Sequence, residues 1–167
     1  MFVTKATTQD ISDICTIYDQ AKTYFFEHQI DQWQDGYPNQ QSLIEDIQKE
    51  NSYKLMNDGH LVGTAYIAVE DEPTYHEIIG QWLTKNEPYV VIHRIALDPN
   101  FKGRSAASQF VKYAISLAKN NQCGSIRIDT HLDNQSMRHF LKKNGFSECG
   151  IIHLLDGAKR IAYERVI

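Results

Sequence analysis

Apolar positions along this chain follow two spacings, and the switches between them mark out its elements. Ile11, Ile14, Cys15, Tyr18, Ala21 and Phe25 recur at intervals of three and four, which predicts a helix over residues 9 to about 27. Thr7-Thr8-Gln9-Asp10 supplies its capping residue and an early acid. Cys15 lies on the inward face, where a buried core thiol is favoured over a reactive one. Residues 29–38 break the pattern with an aromatic, polar loop. Asn39 then caps a second helix to about Lys49, with Leu43, Ile44 and Ile47 facing inward. Strands are expected at residues 2–6, 52–57 and 61–69, the last two joined by the hairpin signal Asp58-Gly59. Residues 70–87, with Pro73, Gly80 and Trp82, carry no clear period and read as an excursion holding one short helix.

The most informative stretch follows. Val90, Val91, Ile92, Ile95 and Leu97 form a largely apolar run, as in a strand covered on both faces. Asp98-Pro99-Asn100 ends it, because proline supplies no donor. A loop of small residues, 102–107, leads into a helix whose apolar side is Ala107, Phe110, Val111, Ala114, Leu117 and Ala118. Strand, loop and helix start together make an anion site, since the first helical N–H groups have no internal partner. Further on, residues 125–130 read as a strand and Asp133-Asn134 opens a helix with Met137, Phe140 and Leu141 inward. Asn144-Gly145 ends that helix. Two closing strands, 146–155 and 160–166, surround Asp156-Gly157.

Composition narrows the class. The 167 residues, 42% hydrophobic and 23% charged, suit one globular domain, 1–167. No apolar run approaches the roughly 18 residues a spanning helix needs, and the N-terminus lacks a signal-peptide pattern. Neither a membrane nor a secreted setting is expected. Cys15, Cys123 and Cys149 are odd in number and without metal-ligand spacing, so a reduced cytoplasm and no metal are expected. A net charge of −4 argues against nucleic acid and leaves room for a cationic acceptor such as an amine.

The segment RIALDPNFKGRSAASQF resembles motif A of the GNAT family of acyl-CoA-dependent N-acetyltransferases, where a strand precedes Gln/Arg-x-x-Gly-x-Gly/Ala. Gly103 is the first loop glycine, and Ser105 and Ala107 stand where the family has two more. The serine departs from the pattern. His131-Leu132-Asp133-Asn134 through Asn144-Gly145-Phe146 resembles motif B, which an asparagine opens and Gly-Phe closes. IDTHLDN and CGII also resemble segments shared among bacterial members. The order β-α-α-β-β-β-α-β-α-β-β matches the family. The resemblance therefore implies an α/β (α+β), GNAT-like acyl-CoA N-acyltransferase fold. Its mixed central sheet is flanked by helices and splays between the fourth strand, residues 90–97, and the fifth, 125–130.

The resemblance implies an enzyme that moves an acetyl group from acetyl-CoA to the primary amine of a small molecule or peptide by direct attack. A reading from another class stands beside it: a non-catalytic acyl-CoA-binding or sensing module, favoured by Ser105 and Leu141. For the cofactor, the backbone of Lys102, Gly103, Arg104, Ser105, Ala106, Ala107 and Ser108 offers donors to a pyrophosphate, with two cations nearby. By resemblance, the main chain of Ile95, Ala96 and Leu97 takes the pantetheine arm, and Asn134 holds the arm or caps its helix, or does both. Lys143, beside Lys142, approaches the 3′-phosphate or simply ends a solvated helix.

Attack by an amine needs a base, donors for the carbonyl oxygen and an acid for the leaving thiolate. His93 is the preferred base, at a position where many members carry glutamate or histidine; a structural histidine within the sheet is the alternative. Imidazole titrates near roughly 6.5, which suits proton transfer at neutral pH. His131 is the second choice, and the Leu97 N–H is the oxyanion donor by resemblance. Many members carry an acidic tyrosine where this chain has Leu141, which leaves Cys149, another tyrosine or no dedicated acid. Arg94 and Asp129 fall on adjacent expected strands and are expected to form an ion pair. Trp33, Asp35, Tyr37 and Trp82 lie in irregular segments, where they wall an acceptor pocket or pack as ordinary loop residues. By analogy with other members, a homodimer is expected through residues 146–166 or 70–87.

Overall fold

Thr7 and Asp10 open the first helix with a reciprocal cap. The Asp10 carboxylate accepts the Thr7 N–H at 2.7 Å, which satisfies a donor that the helix start leaves orphaned. In the computed structural model, which describes residues 1–167, a short 3-10 turn leads from this cap into α1, Ile11–Glu27. The chain gathers into two units: Met1–Ile67 with His93–Tyr113, and Ala68–Ile92 with Ala114–Ile167.

The first unit holds α1, strand β1 (Phe2–Lys5), α2 (Gln40–Gln48), β2 (Ser52–Asn57) and most of β3 (His60–Val69). Asn39 caps α2 by accepting the Ser42 N–H at 3.0 Å, as expected. The three strands pair antiparallel, with Val3 opposite Leu55 and Tyr53 opposite Ala65. Asp58 and Gly59 are both left-handed, at φ 48° and 82°, as a two-residue hairpin requires. Ile14, Ile17, Tyr18 and Leu43 from the two helices are buried with Ala6 and Ala96, and Trp33 and Ile47 pack partly against them. Ile14 and Leu43 are wholly buried, so each contributes about 1.5–3 kcal/mol of transfer free energy.

Strand β5, Tyr89–Leu97, runs through both units, with His93–Leu97 in the first. There the Asp98 N–H donates to the Val62 carbonyl at 3.0 Å. Gly63 lies so close that a Cβ on it would meet Leu97 Cδ2 at 2.6 Å and the Ala96 oxygen at 3.1 Å. A 3-10 turn, Pro99–Phe101, and the 102–107 loop lead to α3, Ser108–Asn120, whose last residues belong to the second unit.

The second unit contains β4 (Ile79–Gly80), Tyr89–Ile92 of β5, β6 (Ser125–Thr130), α4 (Gln135–Lys143), β7 (Ser147–His153) and β8 (Lys159–Val166). Its strand order is β5-β6-β8-β7-β4. Tyr89–Val91 pair in parallel with Ser125–Arg127, and the other pairings are antiparallel. Eight strands and four helices make this mixed sheet the GNAT fold that the sequence led us to expect. None of its helices is long and apolar enough to cross a membrane.

Residues 70–87 hold one short helix, the 3-10 turn Pro73–Tyr75, together with the two-residue β4, which pairs with β7. In the first unit Arg94 Nη2 bonds Asp46 Oδ2 at 2.7 Å, and in the second Asp129 Oδ2 accepts the Tyr75 hydroxyl at 2.8 Å. Arg94 is left-handed, at φ 54°, within β5.

Candidate functional site

Candidate residues fall in both units, and each group is built by its own neighbours. In the first unit, β5 carries His93, Ile95 and Leu97 half-buried and Ala96 buried. The His93 ring lies 5.9 Å from that of Tyr66, tilted by 36°. Beyond the strand, Asp98 Oδ1 accepts the Asn100 N–H at 2.8 Å and closes the turn. Gly103 and Ser105 are both left-handed, at φ 76° and 57°. The bonds that start α3 run from Ser108 N–H to Ser105 O, Gln109 to Ala106 and Phe110 to Ala107, at 3.0–3.2 Å. The amides of Ser105, Ala106 and Ala107 therefore precede the ladder, as donors at a helix start do.

This donor set fits a pyrophosphate. It offers backbone N–H groups, a serine hydroxyl and the exposed Arg104, whose guanidinium lies 5.7 Å from the Phe101 ring centre. Lys102, one of the two cations expected near the pyrophosphate, packs toward α1. Its ammonium sits 3.6 Å from the centre of the Tyr24 ring on α1, and partial burial lowers its pKa. Lys102 and Tyr24 belong to a surface groove of about 490 Å³ along α1, with Asp19, Thr23 and Glu27.

The same unit collects the expected acceptor residues of the 29–38 loop but gives them unequal surroundings. Trp33 packs edge-on against Phe25 at 5.4 Å and Tyr18 at 5.9 Å, so it is largely a core residue. Asp35 is exposed and accepts the Tyr37 N–H at 3.2 Å. The Tyr37 hydroxyl takes a short hydrogen bond from Arg94 Nη1. The Arg94 guanidinium also lies over the rings of Tyr66 at 4.6 Å and Tyr37 at 5.6 Å. Burial raises the Asp46 carboxyl above its ordinary range even with this guanidinium beside it.

In the second unit, His131 follows β6. Its Nδ1 accepts the Asp133 N–H at 3.1 Å. An N–H can only donate, so the neutral ring carries its proton on Nε2. That leaves the His131 Nε2–H as a donor toward a ligand. Asn134 is buried and caps α4 by accepting the Met137 N–H at 3.1 Å. The Thr130 hydroxyl is buried without a partner. Lys143 is exposed at the helix end, and Leu141, where an acid would stand, is completely buried.

Trp82, expected either at the acceptor wall or in ordinary packing, joins a buried network. Its indole N–H donates to the Tyr75 carbonyl at 2.9 Å, and Arg127 lies between the rings of Trp82 and Tyr89 at 4.3 and 4.1 Å. Arg127 Nε donates to Glu164 at 2.9 Å, while Glu164 also accepts from the Ser125 and Thr84 hydroxyls and the Leu83 and Thr84 amides. Cys149 is half-buried with its thiol pushed up to about 11, first by burial and then by the Glu164 charge. The sequence reading missed Asp46, Tyr75 and Glu164. Asp46 had a signal, since it follows the inward Leu43 by three residues on α2.

A mixed sheet carrying a strand, a small-residue anion loop and a helix in succession defines an α/β domain of the acyl-CoA transferase class. The acetyltransferase (GNAT) family model matches residues 13–146, and the chain belongs to this family of acyl-CoA-dependent N-acetyltransferases. A GNAT-family acetyltransferase from Streptococcus agalactiae 2603 is 33% identical, with TM-score 0.88 over 99% of this chain and 94% of that one. A GNAT-family acetyltransferase from Listeria monocytogenes 4b F2365 is 18% identical, with TM-score 0.74 over 99% and 94%. The NatC complex bound to Gag peptide and CoA contains a chain 12% identical, with TM-score 0.68 over 100% and 99%. These last two share the fold. No curated protein matches the chain significantly.

Proposed function

We propose that this chain, as one GNAT domain over residues 1–167, transfers an acetyl group from acetyl-CoA to the primary amine of a small molecule or peptide. The observation that carries the reading is the loop ahead of α3, whose amides at Ser105–Ala107 precede the helix ladder at the end of the β5 strand. These amides, with Gly103, Arg104 and Ser108, hold the pyrophosphate; the main chain of Ile95–Leu97 takes the pantetheine arm. Asn134 orients that arm while capping α4. Bound acetyl-CoA supplies an activated thioester. His93 takes the proton of the attacking amine, and the Leu97 N–H donates to the thioester carbonyl oxygen. His131 serves as a donor through Nε2. Leu141 has no proton to give, so the thiolate leaves without an acid from α4. The acceptor, we infer, meets the exposed Asp35 and Tyr37 before the half-buried Trp33. A cytoplasmic enzyme is consistent with three free cysteines.

The second reading, a non-catalytic acyl-CoA sensor, draws on the buried Leu141 and on Ser105 in place of a glycine. Thiol release from acetyl-CoA across polyamines, amino sugars, amino acids and peptides separates the two. An enzyme shows release above the water background for at least one acceptor. His93→Ala then lowers turnover by about 100-fold or more with coenzyme A affinity unchanged. If every acceptor leaves release at background while coenzyme A binds, the sensor reading stands.

A further inference from the structure

We propose that Arg94 is a positioning residue: clamped by Asp46 and Tyr37, it sets the backbone of the cofactor strand and couples the 29–38 loop to coenzyme A binding. This rests on reading Ile95–Leu97 as the edge that takes the pantetheine arm.

The first observation is strain. Arg94 is left-handed inside a strand, a conformation that side-chain-bearing residues rarely adopt. Such residues persist only where the surroundings over-determine them. Here three segments do so. From α2, Asp46 bonds Nη2 at 2.7 Å; from the loop, Tyr37 takes Nη1; from β3, the Tyr66 ring lies under the guanidinium at 4.6 Å. The side chains of Arg94 and Asp46 are only 12% and 10% exposed, so the clamp is shielded from water. Nε is buried without a partner, so the fork is held by its two Nη groups and its flat face alone.

The second observation is where the strain falls. In the second unit, Tyr89–Val91 of β5 pair with Ser125–Arg127 of β6. Arg94 comes three residues after Val91, directly between His93 and Ile95. Its left-handed turn therefore sets the direction of both the proposed base and the proposed pantetheine edge. Tyr37 belongs to the loop that carries Asp35 and Trp33, so one guanidinium joins the acceptor side to the cofactor strand. A lysine has no second donor in a fixed fork and cannot make both contacts in this geometry.

The test uses the full chain and coenzyme A as probe, with Tyr37→Phe, Arg94→Lys and Asp46→Asn measured by calorimetry, thermal melting and amide hydrogen exchange. Tyr37→Phe and Arg94→Lys are expected to weaken coenzyme A binding about tenfold. Tyr37→Phe should shift the melting midpoint by only a few degrees. Exchange should accelerate at residues 29–38 and 93–97 and stay unchanged at 89–91 and 125–127, and coenzyme A should slow it at 29–38 in the wild type. Wild-type affinity in both variants, or exchange that rises uniformly across the chain, would overturn the proposal and leave an ordinary packing pair. Should the wild type bind no coenzyme A, the functional reading fails, and the ligand-free exchange pattern still decides the clamp.

Discussion

Glu164 has no exposed side-chain surface, yet five donors surround it, from Ser125, Arg127, Leu83 and two on Thr84. Burial alone would raise its pKa, but the Ser125 and Thr84 hydroxyls and Arg127 outweigh that and hold it below the ordinary glutamate value. A lowered folded-state value means stability that is fully present above the unfolded glutamate pKa. That stability is lost as pH falls through the lower folded value. Glu164→Gln should cost about 3–5 kcal/mol at pH 7, because Arg127 is left buried and unpaired. Urea midpoints measured from pH 7 to pH 3 check both points: the wild type loses stability below about pH 4.3 and the variant loses less over that range. Asp10, held down by Lys54 and Thr7 against its own burial, adds to the acid limb in the same sense.

Among the elements, β4 is the one no pattern announced. It is two residues long, and its pairing with β7 brings Gly80 against Gly150, at φ 129° and 151°. A Cβ on Gly150 would lie 2.2 Å from the Ile79 oxygen, and one on Gly80 would lie 2.2 Å from the Cys149 oxygen. Both positions need glycine for room as well as for conformation. Gly150→Ala should detach β4 without unfolding β6 and β8. The Gln81 amide, bonded to the Cys149 oxygen at 3.1 Å, reports this, with exchange expected to quicken by about tenfold or more. The longer elements were legible because they carry their own signals. Asn39, Asp58-Gly59 and Asn134 do the capping and turning their residue types suggested. Residues 70–87 were not, because Leu83 and Thr84 are held by Glu164, some 80 positions away.

At the scale of the whole molecule, membership of the GNAT family makes ligand linkage the plainest measurement. Coenzyme A at a hundredfold excess over its Kd should stabilise the chain by about 2.7 kcal/mol, a rise of roughly 5–10 °C in Tm for a protein of this size. ATP at the same concentration should leave Tm unchanged. An equal shift with ATP would return the anion loop to the general class of nucleotide sites.

The sequence by itself determined the element order and the family, because periodicity, caps and motif composition are local chemistry that survives without a partner. Only the tertiary structure decided who faces whom. Arg94 takes Asp46, 48 residues away, and Asp129 takes Tyr75, 54 residues away. Lys102 lies over Tyr24 and Trp82 over Arg127. A side chain's neighbours depend on how distant segments pack, and spacing along the chain does not encode that.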